Sequence, residues 1–212
     1  NFYYDQMDWL SEFQKNKKWT WTILRPQLVC GVAAGSPLNI IAAIGAFAAI
    51  SREVGIPLRF PGGAERIGEA TDARLIARAV EWVGNNEIAS NQIYNITNGD
   101  VYIWHYVWPR VAELFDMEYG SPQPMSLAKL MPENAKVWSR IIEKHSLKNY
   151  SLAELIPSWR FADYIFGYGQ RPNPHHMSNI KIRKHGFSDC IDTEQMVLEL
   201  LQEMQSLRII PR

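Results

Sequence analysis

The sequence carries no excess of charge of either sign, with 22 basic against 22 acidic side chains. That balance excludes a global field able to gather nucleic acid or an anionic membrane surface. Cysteine is scarce: Cys30 and Cys190 lie far apart and show no metal-ligand spacing. Neither a disulfide scaffold nor a zinc site is expected, and the composition reads as cytoplasmic. No apolar run is long enough to span a bilayer. The longest, Leu38 to Ile50, is rich in Ala and Gly and reads as a buried helix. A G-x-G-x-x-G phosphate loop is also missing, and Gly62-Gly63 after Pro61 reads as a turn. The sequence opens Asn1-Phe2-Tyr3-Tyr4 without an initiator Met, so the lack of a signal peptide says nothing.

What is present is apolar and aromatic. Hydrophobic residues make up 47% and charged residues 21% of 212, ordinary for one globular domain with or without an appendage. Aromatics reach 12%, which suits either a large aromatic core or an aromatic-lined pocket, the core being the default.

Strand and helix patterns alternate through the first half. Met7, Leu10 and Phe13 fall at helical spacing over Asp5 to Lys15, with acidic residues early and lysines late, as the helix dipole favours. Trp19 to Leu24 follows as a strand. Being apolar on both faces from Trp21 onward, it is expected inside a parallel sheet. Further strands are expected at Ile56–Phe60 and Gln92–Ile96, and helices from Leu38, from the N-cap Thr71-Asp72, and over Ile103–Phe115, where Pro109 either sits near the first turn or kinks the helix. From Ser121 the pattern predicts short helices at 127–130, 135–145, 151–156 and 159–166. A polar loop with Pro172 and Pro174 follows, and then a last amphipathic helix over 193–207. The fold class is α/β with a mainly helical C-terminal extension.

The strongest local chemistry is Tyr4, at the start of a helix that leads into a strand. Such a residue can be aimed at the cleft at the strand ends where α/β folds place ligands. A phenol titrating near ~10 needs a nearby cation to exchange protons at neutrality. No lysine stands four residues on, where Met7 and Asp8 are found. On the residues alone, a Tyr-Tyr pair here is more often structural.

The run Asn1-Phe2-Tyr3-Tyr4-Asp5, followed by Trp21-Thr22-Ile23-Leu24-Arg25-Pro26 and Gly31, resembles the atypical short-chain reductases of the progesterone 5β-reductase and iridoid synthase family. Leu58 to Gly62, Thr71 to Ala77, Tyr94 to Asp100, Trp159 to Asp163, Lys184 to Phe187 and Ile209-Ile210-Pro211 follow in the same order, so the resemblance covers essentially the whole chain.

The resemblance implies the later part of an extended short-chain dehydrogenase with a Rossmann-type parallel sheet. Residues 1–35 would belong to the dinucleotide-binding domain and 36–212 to a substrate-binding region, with about 71–100 returning to the sheet. It implies reduction of a carbon–carbon double bond conjugated to a carbonyl. NADPH or NADH would supply hydride, and Tyr4 would be the catalytic tyrosine. The lysine partner and the Gly-rich loop would lie upstream, so this stretch alone is expected to be inactive.

Arg25, Pro26, Gln27, Leu28 and Val29 would touch the nicotinamide, mainly through backbone. Leu38, Ile41, Phe161, Ile165 and Phe166 would roof the substrate, although each on its own reads as core. The expected partner is a small apolar enone or carbonyl compound, with no nucleic acid and no membrane, and a homodimer is a further expectation. Adjacent His175-His176 read as an exposed loop pair rather than a metal site. The rivals are a carbonyl reductase or nucleotide-sugar epimerase using the same tyrosine, and a cofactor-sensing module without catalysis. A scarcity of polar residues near the expected pocket weighs against a sugar.

Overall fold

The computed structural model describes residues 1–170 and 176–212. Its organising element is a helix that is apolar all round. In chain order, α1 (Phe2–Gln14), β1 (Thr22–Pro26) and β2 (Val29–Cys30) precede this helix, α2 (Ile40–Glu53). Asn39 caps α2 by accepting the Ile41 and Ala42 N–H groups, and every residue from Ile40 to Ser51 is buried. A helix without a polar stripe has to be covered on all sides. Here α6 (Ala135–His145), α8 (Trp159–Phe166) and α10 (Thr193–Ser206) pack round it. Gly45 makes the closest approach possible, since a Cβ there would lie 2.6 Å from Ile210 Cδ1.

The sheet is assembled from segments distant in sequence. β1 pairs in parallel with β6 (Gln92–Ile96), and β2 with β5 (Thr71–Asp72). β3 (Leu58–Arg59) pairs in parallel with β8 (Tyr119–Gly120), while β4 (Ile67–Gly68) pairs antiparallel with β7 (Tyr102–Ile103). Asp72 then caps α3 (Ala73–Asn85) through the Arg74 N–H. A second, smaller core of Leu75, Ala79, Tyr94, Ile96, Ile182 and Phe187 joins α3 and α9 (Ile180–Lys184) to β6. The remaining helices are α4 (Trp104–Leu114), which contains Pro109, α5 (Leu127–Leu130) and α7 (Leu152–Leu155).

As expected of a sheet strand, β1 pairs in parallel; within the described residues it is half-buried, with only Pro26 exposed. Among the described residues its one strand partner is β6, and the helix beside it, α1, contributes no buried residue. Met7 and Leu10 of α1 are half-buried towards β1, whereas Phe13 turns outward and stacks on Trp9 at 4.8 Å. No helix among the described residues is long and apolar enough to cross a membrane.

Candidate active site

Tyr4 sits in the first turn of α1. Asn1 caps that turn, its carbonyl accepting the Tyr4 N–H at 2.8 Å and its side chain the Tyr3 N–H at 3.2 Å. The ordered turn places Tyr4 on the wall of a groove of about 640 Å³ between α1 and β1, lined also by Tyr3, Met7, Leu24, Arg25 and Pro26. The groove runs along β1 from Ile23 to Pro26 and so reaches the C-terminal end of the strand, where open α/β sheets bind ligands. The cation on its wall is Arg25, whose guanidinium donates to Met7 Sδ at 2.9 Å.

The chain crosses from this groove to a second cavity through Gln27 and Leu28. That cavity measures about 220 Å³ and is lined by Leu28, Ile67, Tyr102, Trp104, Phe161 and Ile165, together with the polar Gln27, Arg66, Glu69 and Tyr164. The loop is pinned by Thr71, which donates its hydroxyl to the Gln27 carbonyl and its N–H to that of Leu28. Val29 is exposed and begins β2, away from both cavities.

The residues expected to roof the substrate separate into three groups. Phe161 and Ile165 line the second cavity. Ile41, with no exposure, and Phe166 lie in the core, where Phe166 meets Phe60, Trp104 and Trp108 edge-on. Leu38 is exposed and lines neither space.

Sequence reasoning did not single out Arg66, Glu69, Tyr102 or Trp104. Arg66 donates to the carbonyl oxygens of Tyr164 and Ile165, tying the segment before β4 to the end of α8. Glu69 is buried and accepts the Met177 N–H at 2.8 Å. His176 Nδ1 comes within 3.1 Å of its other oxygen, which has no partner in hydrogen-bond geometry among the described residues. Burial holds the Tyr102 phenol well above its ordinary titration range, so it remains a donor. His175 lies outside the described residues, and no group of three metal-ligating side chains is gathered among those described.

With this geometry in place, comparison with known proteins is decisive on family. Residues 1–189 match the PRISE-like Rossmann-fold domain. The chain belongs to that family. It is 31% identical over its whole length to (S)-8-oxocitronellyl enol synthase ISY1 of Nepeta racemosa and to the 3-oxo-Delta(4,5)-steroid 5-beta-reductase of Arabidopsis thaliana, covering 55% of each. It is 30% identical to the short chain dehydrogenase gsfE of Penicillium aethiopicum, covering 60% of it. The chain thus spans little more than half the length of these relatives.

Among solved structures, the UDP-glucose 4-epimerase of Thermotoga maritima, with UDP-glucose, superposes with a TM-score of 0.54 at 12% identity, covering 96% of this chain and 52% of the epimerase. RMD of Pseudomonas aeruginosa, complexed with NADPH, gives 0.54 at 11% identity, covering 94% and 53%. These likenesses establish an α/β Rossmann fold of the kind found in short-chain epimerases.

Proposed function

We propose that the full-length protein is an NAD(P)H-dependent reductase of α,β-unsaturated carbonyl compounds in which Tyr4 engages the carbonyl oxygen. The observation that carries this reading is that Tyr4 lines one groove together with Arg25 and Pro26, the last two residues of β1. Family membership supports it, since relatives at 31% identity include a steroid 5-beta-reductase.

The residues present fit one end of a nicotinamide cofactor. Arg25 and Pro26 line the groove, and Gln27 and Leu28, held by Thr71 through their carbonyls, continue from it to the second cavity. Pro26, Gln27 and Leu28 would hold the nicotinamide. The sequence offers no Gly-rich turn for the phosphates, so residues 1–212 on their own are expected to reduce no enone.

When bound, the cofactor supplies a hydride to the β-carbon of the enone. Electron density then moves to the carbonyl oxygen. The Tyr4 O–H, directed at that oxygen, stabilises the developing enolate by the same electrostatic logic as an oxyanion hole. The capped first turn of α1 fixes where that hydroxyl is presented. Leu28, Ile67, Trp104, Phe161 and Ile165 give the adjoining cavity an apolar side that suits a lipophilic skeleton, beside the polar Gln27, Arg66, Glu69 and Tyr164.

Replacing Tyr4 by Phe in the full-length protein tests the assignment. Loss of one such hydrogen-bond donor is expected to lower kcat for enone reduction about 10²-fold. Undiminished turnover would remove Tyr4 from the mechanism.

A further inference from the structure

The second cavity contains a polar group without a hydrogen-bond partner among the described residues. Tyr102 is buried, and its ring ends against Gly68: a Cβ on that glycine would lie 3.0 Å from the Tyr102 hydroxyl oxygen. Both residues line the cavity, so the phenolic end of Tyr102 reaches the cavity wall. Among the described residues this hydroxyl donates to nothing. Tyr94, equally buried, instead places its hydroxyl 2.7 Å from His185 Nδ1. Buried tyrosine hydroxyls ordinarily find an acceptor. Here the cavity walls are the apolar Leu28, Ile67, Trp104, Phe161 and Ile165 with the polar Gln27, Arg66, Glu69 and Tyr164, and the hydroxyl bonds none of them. A donor left free among these walls is suited to an acceptor carried by a ligand.

Size indicates which part of a ligand enters. At about 220 Å³ the cavity is smaller than the ~300–1,000 Å³ of a typical small-molecule site. It accommodates one end of a substrate rather than the whole. The other end has room in the Tyr4 groove, since Arg25 and Pro26 line that groove and the next two residues, Gln27 and Leu28, line this cavity.

Building on the enone-reductase reading above, we propose that Tyr102 is a specificity-determining residue. Its O–H would donate to a second oxygen, a carbonyl or ether oxygen, at the end of the substrate remote from the enone. The residue positions substrate and does not take part in the hydride step. The preferred substrates are therefore enones with a lipophilic skeleton and a distal oxygen acceptor, and the deoxygenated analogue is discriminated against.

Tyr102→Phe in the full-length protein removes one oxygen atom and alters nothing else in volume or shape. With two enones of one skeleton, one bearing a distal ketone and one without it, the wild type is expected to favour the ketone about tenfold in kcat/KM. In the variant the ratio falls towards one. An unchanged ratio would overturn the proposal. So would a lowered melting temperature of the variant, because it would show that the hydroxyl has a structural partner.

A binding measurement separates this proposal from the reading on which it rests. The saturated distal ketone, titrated by quenching of intrinsic tryptophan fluorescence, is expected to bind the variant about tenfold more weakly than the wild type. This holds even if neither enone is turned over, in which case the reductase reading fails while the cavity assignment stands. Equal affinities would overturn the assignment whatever the turnover.

Discussion

Asp163 reaches from α8 to the start of α5, where its carboxylate accepts the Leu127 N–H at 2.7 Å and the Ser126 hydroxyl at 2.7 Å. It also takes the Ala128 N–H at 3.3 Å, so one side chain satisfies two free N–H groups of α5. Because α8 carries Phe161 and Ile165, this contact fixes one wall of the second cavity. Asp163→Ala is expected to cost about 1–3 kcal/mol, read as a lowered melting temperature. The same variant should raise KM for a bulky enone more than it lowers kcat. A variant as stable as the wild type would show that the cap contributes nothing to folding.

The titration of His145 gives a pH prediction. Burial, reinforced by the Arg52 and Lys144 cations, holds its imidazole below the ordinary histidine range, and Glu53 offsets this in part. The unfolded chain therefore takes up the proton more readily than the folded one. Stability from this group is complete above the unfolded value of ~6.5 and is lost as pH falls from there through the lower folded value. The melting temperature should drop between pH 7.5 and 5, and His145→Gln should flatten part of that drop. An identical pH profile for the variant would contradict the assignment.

Much of the scaffold was legible because the deciding signals are local. The apolar run from Leu38 specifies a helix that has to be enclosed, and α2 is enclosed. Asp72 reads as an N-cap and caps α3. Gln92–Ile96 reads as a strand and pairs with β1.

The short strands β2, β4, β5 and β7 were not legible as ladders, since a two-residue strand owes its existence to a partner far along the chain. The same physics limited reading of the site. Ile41, Phe161, Ile165 and Phe166 have the same local chemistry, yet two are core and two line a cavity. What separates them is tertiary: Phe161 and Ile165 face the cavity beside Ile67 and Tyr102, whereas Ile41 and Phe166 are enclosed in the core. Tyr102 follows the turn Asn98-Gly99-Asp100 like any strand aromatic, and only the tertiary structure places its hydroxyl at a cavity with no hydrogen-bond partner among the described residues.

The two cysteines should differ sharply in reactivity. Cys30 is buried, and that burial, aided by the nearby Asp72 carboxylate, pushes its thiol up to about 12. Cys190 is exposed. Because the thiolate is the reactive form, iodoacetamide at pH 8 under native conditions is expected to alkylate Cys190 and leave Cys30 untouched. Peptide mass analysis reads the outcome directly, and rapid native labelling of Cys30 would contradict its enclosed position.

The central claim concerns where the hydride goes. The full-length protein, given an enone and NADPH deuterated at the transferable position of the nicotinamide, is the most direct test, with the product read by NMR. The account predicts one deuterium at the β-carbon of a saturated carbonyl compound. Deuterium on the carbonyl carbon of an allylic alcohol, or no transfer at all, would contradict it.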